Sequence, residues 1–218
     1  MPSGHRGLTL SLTESRDFLT FKFITPLSRM SWQAEEEKLV AAIGDRCNGY
    51  QWLHSQSQTH FETVNFFLTI PSIVLSAITG SVTIGLTSLF PDPKYQTIVT
   101  TVLGAVTIGS GVLTTVNQYV KSSSLAEAHR AASLAYGKLY RLILTEISLR
   151  REQRQEVTGF LKLIRVEQDR LQDMSPSILP RIIDRFNLAF HENKLLEKPE
   201  IVGDLDHIII PLLASDIQ

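Results

Sequence analysis

Between Glu62 and Asp92 the chain runs for 29 residues without a charged side chain, and between Lys94 and Lys121 for another 26. A helix needs roughly 20 mostly apolar residues, rising 1.5 Å each, to cross the hydrocarbon of a bilayer. Both runs exceed that length. The charge pattern is local: residues 63–120 hold only Asp92 and Lys94, and the other 41 charged residues lie outside. Averages hide this, because 43% apolar content and a mean hydropathy of +0.05 are ordinary for a soluble globular protein. The competing reading is a buried helical hairpin inside a soluble protein. The Ser and Thr content of the runs is compatible with lipid, since hydroxyls bond back to helix carbonyls.

The connector Phe90-Pro91-Asp92-Pro93-Lys94 is short, and its two prolines stop one helix and permit a tight turn. The runs therefore read as a transmembrane hairpin over 63–120, with spans at about 64–89 and 96–120. Arg46, Lys121, Arg130 and Lys138 flank the termini side, against Lys94 alone in the turn. This bias places both termini in the cytosol. Span length does not distinguish the plasma membrane from an internal one. The first residues carry Glu14, Arg16 and Asp17 after a short apolar stretch, which is too short for a signal peptide; the first span is expected to serve as the targeting signal.

The flanks read as helical. Residues 1–30 read as a flexible N-terminal segment, with a short strand or surface-lying anchor over residues 18–24 as the alternative. A cytosolic helix over 31–62 is expected to begin at Ser31 as N-cap, with Glu35, Glu36 and Glu37 in its first turn, and either ends before the first span or runs into it. A cytosolic helical region covers 121–200. There Ser124 and Glu127 have capping-box spacing, so either a new helix starts there or the second span continues. Leu125, Ala128, Ala132, Ala135, Leu139, Leu142, Ile143 and Leu149 form an apolar stripe. After polar residues 150–156, Phe160, Leu161, Ile164 and Leu171 continue the helical period, Pro176 and Pro180 break it, and Ile182–Leu195 reads as a short amphipathic helix. The tail, 201–218, reads as a strand, a helix or a partner-binding segment.

Several functions are excluded or disfavoured. A net charge of −1 argues against nucleic-acid binding by bulk charge. A single cysteine, Cys47, excludes an internal disulfide and a cysteine metal cage. There is no phosphate loop, CxxC or HExxH, and the six histidines show no pairing at i, i+4. No catalytic, cofactor-binding or metal-binding residue is assigned, no cofactor is implied, and the chain does not read as an enzyme.

The spans carry polar seams. Thr100, Gly104, Thr107, Gly111, Thr114 and Gln118 step by four and three along the second span, and Thr69, Ser72, Ser76, Thr79 and Thr83 do the same along the first. Such stripes act as packing seams, where small residues admit a neighbouring backbone, or as the wall of a water-filled lumen. A two-helix hairpin cannot enclose a pore alone, so the lumen reading requires a homo-oligomer. Glu62, Asn65 and Asn117 would form its cytosolic mouth, with Gln118 at the same depth. Tyr136, Leu139 and Leu142 would hold the cytosolic bundle as an assembly helix.

The arrangement, with Tyr50-Gln-Trp-Leu-His54, Asn65, Ile70-Pro-Ser-Ile-Val-Leu-Ser-Ala-Ile-Thr-Gly80, Ser124-Leu-Ala-Glu-Ala-His-Arg-Ala-Ala-Ser-Leu-Ala-Tyr136 and Leu139-Tyr-Arg-Leu-Ile143, resembles the SLATT family over roughly residues 32–175. These are two-transmembrane effector domains associated with nucleotide-second-messenger conflict systems. The resemblance implies a pore-forming or membrane-perturbing effector that drives cell suicide. The expectation is an oligomeric, all-α membrane protein forming an ion-channel-like pore, gated or assembled through its cytosolic helices. Membrane lipids, further copies of the chain and a soluble partner or sensor would be its partners. The alternative is a non-conducting anchor or scaffold that recruits a soluble partner.

Overall fold

A computed structural model describes residues 32–193 and 196–203, and every regular element among them is helical. The readings of 1–30, of Ser31 and of the tail beyond 203 lie outside the described residues. The first element, α1 (Ala34–Leu89), is one uninterrupted helix of 56 residues. The segments read as a cytosolic helix and a first span are therefore a single rod. Its start is set by Gln33: the Glu36 carboxylate accepts from the Gln33 backbone N–H at 2.8 Å, and three acidic residues occupy the first turn. Pro71 lies inside α1 and removes one donor from the ladder, yet the helix passes through it.

The turn at 90–92 reverses the chain. Asp92 caps α2 (Pro93–Val120) by accepting from the Lys94 N–H at 2.9 Å, and Pro93 occupies the first helical position, where its missing donor costs nothing. The second helix thus begins three residues before the expected boundary at 96. The Gln96 side chain donates to the Phe90 carbonyl at 2.8 Å and closes the turn.

Lys121 separates α2 from α3 (Ser122–Ser148) and is the one non-glycine residue with positive φ among the described residues, at 52°. Its N–H donates to Asn117 O and its carbonyl accepts from Leu125 N, each at 3.0 Å, so the chain makes a joint without leaving backbone groups unpaired. Ser124 lies inside α3 and is not its cap, a correction to the capping-box reading.

The chain doubles back, so α2 packs along the second half of α1 and α3 along its first half. In α4 (Val157–Met174) the Glu156 carboxylate caps by accepting from the N–H groups of Thr158 at 3.0 Å and Gly159 at 2.6 Å. Finally α5 (Pro180–Phe190) starts on Pro180, earlier than expected, and ends before Leu195. Trp52 of α1 meets Phe186 and Phe190 of α5 edge-on at 5.4 and 5.5 Å. With α4, these elements make a head whose core is apolar and fully buried at Val40, Leu53, Ile143, Phe160, Ile164 and Phe186.

The polar residues 150–156 are a fastening for this head. Glu37 accepts from Arg151 Nη2 at 2.7 Å and Arg154 Nη1 at 2.6 Å, and Arg154 lies 5.0 Å from the Trp32 ring. The indole N–H of Trp32 donates to Gln155 O at 3.0 Å. The guanidinium groups of Arg151 and Arg154 hold the Glu37 carboxyl down at about 2.

Candidate functional site

The half of the molecule away from the head has almost no core. In the most apolar windows of the α1 and α2–α3 legs only 6% of residues are buried. Both legs are long and apolar enough to cross a membrane. Phe67, Ile84 and Ile108 are 66%, 89% and 71% exposed. This counts against the buried soluble hairpin, whose helices would be covered by the rest of the chain.

What joins α1 to α2 is a ladder of small polar groups. Nearest the head, Asn117 Nδ2 donates to Thr69 Oγ1 at 2.9 Å and to Asn65 Oδ1 at 3.3 Å, and Ser122 Oγ donates to Asn117 Oδ1 at 2.5 Å. One to two turns further, Ser72 Oγ meets Thr114 Oγ1 at 2.8 Å and Ser110 Oγ at 3.3 Å, and Ser76 Oγ meets Ser110 Oγ at 3.1 Å. Ser72 and Ser110 are the buried residues of this region, and small side chains at both positions let the helices approach.

The two stripes separate in space. Along α2 the face turned to α1 is Val99, Leu103, Val106, Ser110, Leu113 and Asn117. The stripe of Thr100, Gly104, Thr107, Gly111, Thr114 and Gln118 lies one residue further round, and all six are exposed. Within the chain it is therefore not a packing seam; only Thr114 reaches α1. The hydroxyls of Thr100, Thr107 and Thr114 donate to the carbonyls of Gln96, Leu103 and Ser110 at 2.8, 2.8 and 3.0 Å, so they are satisfied without a neighbour. On α1, Thr69 and Ser72 do face α2, Thr79 is half-buried, and Ser76 and Thr83 are exposed.

Beside the seam lies an open groove of about 600 Å³, lined by Ser76, Thr79 and Gly80 of one helix and by Thr107, Gly111 and Thr114 of the other, with Gln118 at one end. Every lining residue is small or polar and none is charged. The Thr79 hydroxyl is buried without a partner. A Cβ added at Gly80, Gly104 or Gly111 would meet nothing within 4 Å, so close packing inside the chain does not require these glycines.

The other expected sites fall as follows. Asn65 and Asn117 meet at the head end of the seam, whereas Glu62 stays outside on the surface, bonded by Gln58 Nε2 at 2.8 Å. Tyr136 and Leu139 are buried against α1 within the chain, and Leu142 is 41% exposed. Among the described residues no group of three His, Cys, Asp or Glu side chains could hold a metal ion.

One pair escaped the sequence reading. His54 of α1 and His129 of α3 meet Nδ1 to Nδ1 at 2.9 Å, and both are buried. The pair spans 75 residues, so no local spacing reveals it. The available sign was a mixed stripe: Tyr50, His54, Ser57 and Phe61 on α1, and Ser122, Ala126, His129, Ser133 and Tyr136 on α3, all buried at steps of three and four. A search for apolar periodicity alone passes over both.

No family model, curated protein or solved structure matches the chain.

Proposed function

We propose that the second half of α1 and the whole of α2 insert into a membrane as a hairpin, and that several copies assemble into an ion-conducting pore. The groove would line its lumen, with the cytosolic head controlling assembly or gating. The observation that carries this reading is the uncharged polar groove, left open on an otherwise apolar exposed surface. Each large aliphatic or aromatic side chain left in water forfeits about 1.5–3 kcal/mol of burial, so an apolar hairpin surface favours lipid. Lipid covers the apolar flanks but offers no partner to the Thr79 hydroxyl buried in the groove. A neighbouring copy or a water column resolves that mismatch, and a ring of copies supplies both. The resemblance to the SLATT family points the same way, toward a membrane-perturbing effector. The distribution of Lys and Arg favours both termini in the cytosol.

The test is ion flux from liposomes reconstituted with the purified full chain. Thr107→Leu fills the groove wall at an exposed position whose hydroxyl bonds to the Leu103 carbonyl of its own helix. Flux is expected to fall while oligomer size is unchanged; undiminished flux through an intact oligomer would reject the groove as lining.

A second reading, a non-conducting scaffold, draws on a cleft of about 450 Å³ between α3 and α4, lined by Leu139, Leu142 and Leu163 with Lys138, Glu167 and Arg170 at its rim. A soluble partner seated there would make the head a recruiting surface. Substitutions at Leu142 and Leu163 would then abolish function, whereas Thr107→Leu would not.

A further inference from the structure

We infer that His54 and His129 form a proton-binding clasp that holds α3 against α1 at neutral pH and releases it on acidification. Two imidazole Nδ1 atoms 2.9 Å apart share one proton as an N–H···N bond. His54 lines an open cleft, whereas the Nε2 of His129 is buried without a partner. The tautomer with His129 Nδ1–H donating to His54 Nδ1 keeps the second N–H of the pair on His54, away from that closed site. A further proton has two places to go. On His54 Nδ1 it opposes another N–H; on His129 Nε2 it becomes a buried donor with no acceptor. Both cost free energy that the separated helices, hydrated by water, do not incur. The closed clasp therefore refuses the proton and the open one takes it.

The surroundings leave the pair to itself. Tyr136 of α3 stacks on His54 at 5.6 Å and Phe61 of α1 stacks on His129 at 5.4 Å. The titratable groups nearby on α1 are Cys47 and Tyr50, both held protonated by burial, and His60, which meets only the edge of Phe61. On α3 they are Tyr136, again raised by burial, and the surface pair Glu127–Arg130. The segment at and after the end of α4 contributes neutral Gln172 and Ser175 to the cleft. Glu200 also faces it, but its carboxylate is taken by Arg46 at 3.0 Å and Gln172 at 3.1 Å. Burial, with His129 alongside, pulls His54 down to about 4, and burial lowers His129 as well. The sign follows. Above about pH 6.5 both states are neutral and the clasp is unaffected; as pH falls from there toward about 4, only the open state binds protons and closure is progressively lost.

The clasp stands just on the head side of the Asn65–Asn117–Ser122 cluster, and α3 follows α2 through the single residue Lys121, with Ser122 Oγ of α3 bonded to Asn117 of α2. Release of α3 would move the end of α2 that carries the groove. That last step rests on the pore reading; the clasp itself does not.

Spin labels at Thr59→Cys and Ala131→Cys, both exposed, report the α1–α3 separation in lipid nanodiscs, with labelled chain diluted in unlabelled chain. Cys47 is buried with its thiol pushed up to about 12 and does not compete for label. Between about pH 7.5 and about pH 5 the ratio of long to short separations is expected to rise about thirtyfold from His54 alone, and the rise should vanish in the His54→Phe/His129→Leu double variant. Identical separations at the two pH values, or an unaltered rise in the double variant, would overturn the clasp. Should the double variant not fold, His54→Asn removes the imidazole that faces His129 while leaving a polar side chain there, and a full rise in that variant would overturn it equally. Flux on the same preparations tells the two readings apart. Separation without flux at acid pH removes the gate and leaves the clasp; flux without separation removes the clasp and leaves the pore.

Discussion

The head and the hairpin are built from the same two legs but held together by opposite means. In the head, α1 meets α3, α4 and α5 through interdigitated rings and aliphatic chains that are almost wholly out of water. In the hairpin, the same α1 meets α2 through hydroxyls and carboxamides set among half-buried aliphatic residues, Val99, Leu103, Val106 and Leu113 of α2, while its bulkiest apolar side chains, among them Phe66, Phe67 and Ile84, stay exposed. The difference follows the solvent each part is suited to. Water drives apolar surface inward in the head. In the membrane setting proposed above, lipid would provide no such drive between helices, so the hairpin would depend on small residues that allow approach and on hydrogen bonds that lipid cannot replace.

The comparison can be broken most severely in the head. Phe160→Ala empties a buried ring site and is expected to cost about 3–5 kcal/mol, read as a lowered unfolding midpoint in detergent. In the hairpin the corresponding weak point is polar. Asn117→Ala cuts the contacts to Asn65, Thr69 and Ser122 and is expected to cost about 1–2 kcal/mol, whereas Ile108→Ala, on the exposed flank, should leave the midpoint within about 0.5 kcal/mol. An Ile108 effect as large as that of Asn117 would undo the contrast.

The smallest effect expected is at the head's fastening. Glu37 is held down by Arg151 first and Arg154 second, so its contribution is complete above the ordinary carboxylate value of 4.5 and is lost as pH falls through about 2. Glu37→Gln should therefore make the acid limb of the stability curve shallower by about one proton over that window, with no change near neutrality.

Much of this contrast was legible in the sequence. Clean charge exclusion over 63–120 gave the two long apolar legs, and Pro91, Asp92 and Pro93 gave the turn between them. The α2 stripe is continuous in sequence, but sequence leaves its azimuth open. Which flank faces α1 depends on where Ser72 and Ser110 meet, and that is a tertiary fact. Of the apolar stripe on α3, Ala132, Leu139 and Ile143 are buried, whereas Ala128 and Leu142 are exposed. The buried face also takes in Ser122, His129, Ser133 and Glu146, whose bonds to Asn117, His54, Gln51 and Gln155 are contacts that apolar pattern alone does not show. Residues 150–156 read only as a polar stretch, because their partners, Trp32 and Glu37, lie more than a hundred positions away.

The two legs of this molecule are equal in length and unequal in mechanics. One is a beam of 56 residues, about 84 Å from end to end, with no break between the head and the far tip. The other has a pivot at Lys121, one residue wide. A tilt of about ten degrees at the start of the first span would carry the tip of the beam sideways by about 7 Å. The pivoted leg need not follow, since rotation about one residue absorbs the same displacement. Torque entering through the head would be carried along the unbroken leg and partly absorbed at Lys121 on the other, where Ser122 Oγ still ties α3 to Asn117, and the difference would fall on the row of serines, threonines and asparagines where the legs touch.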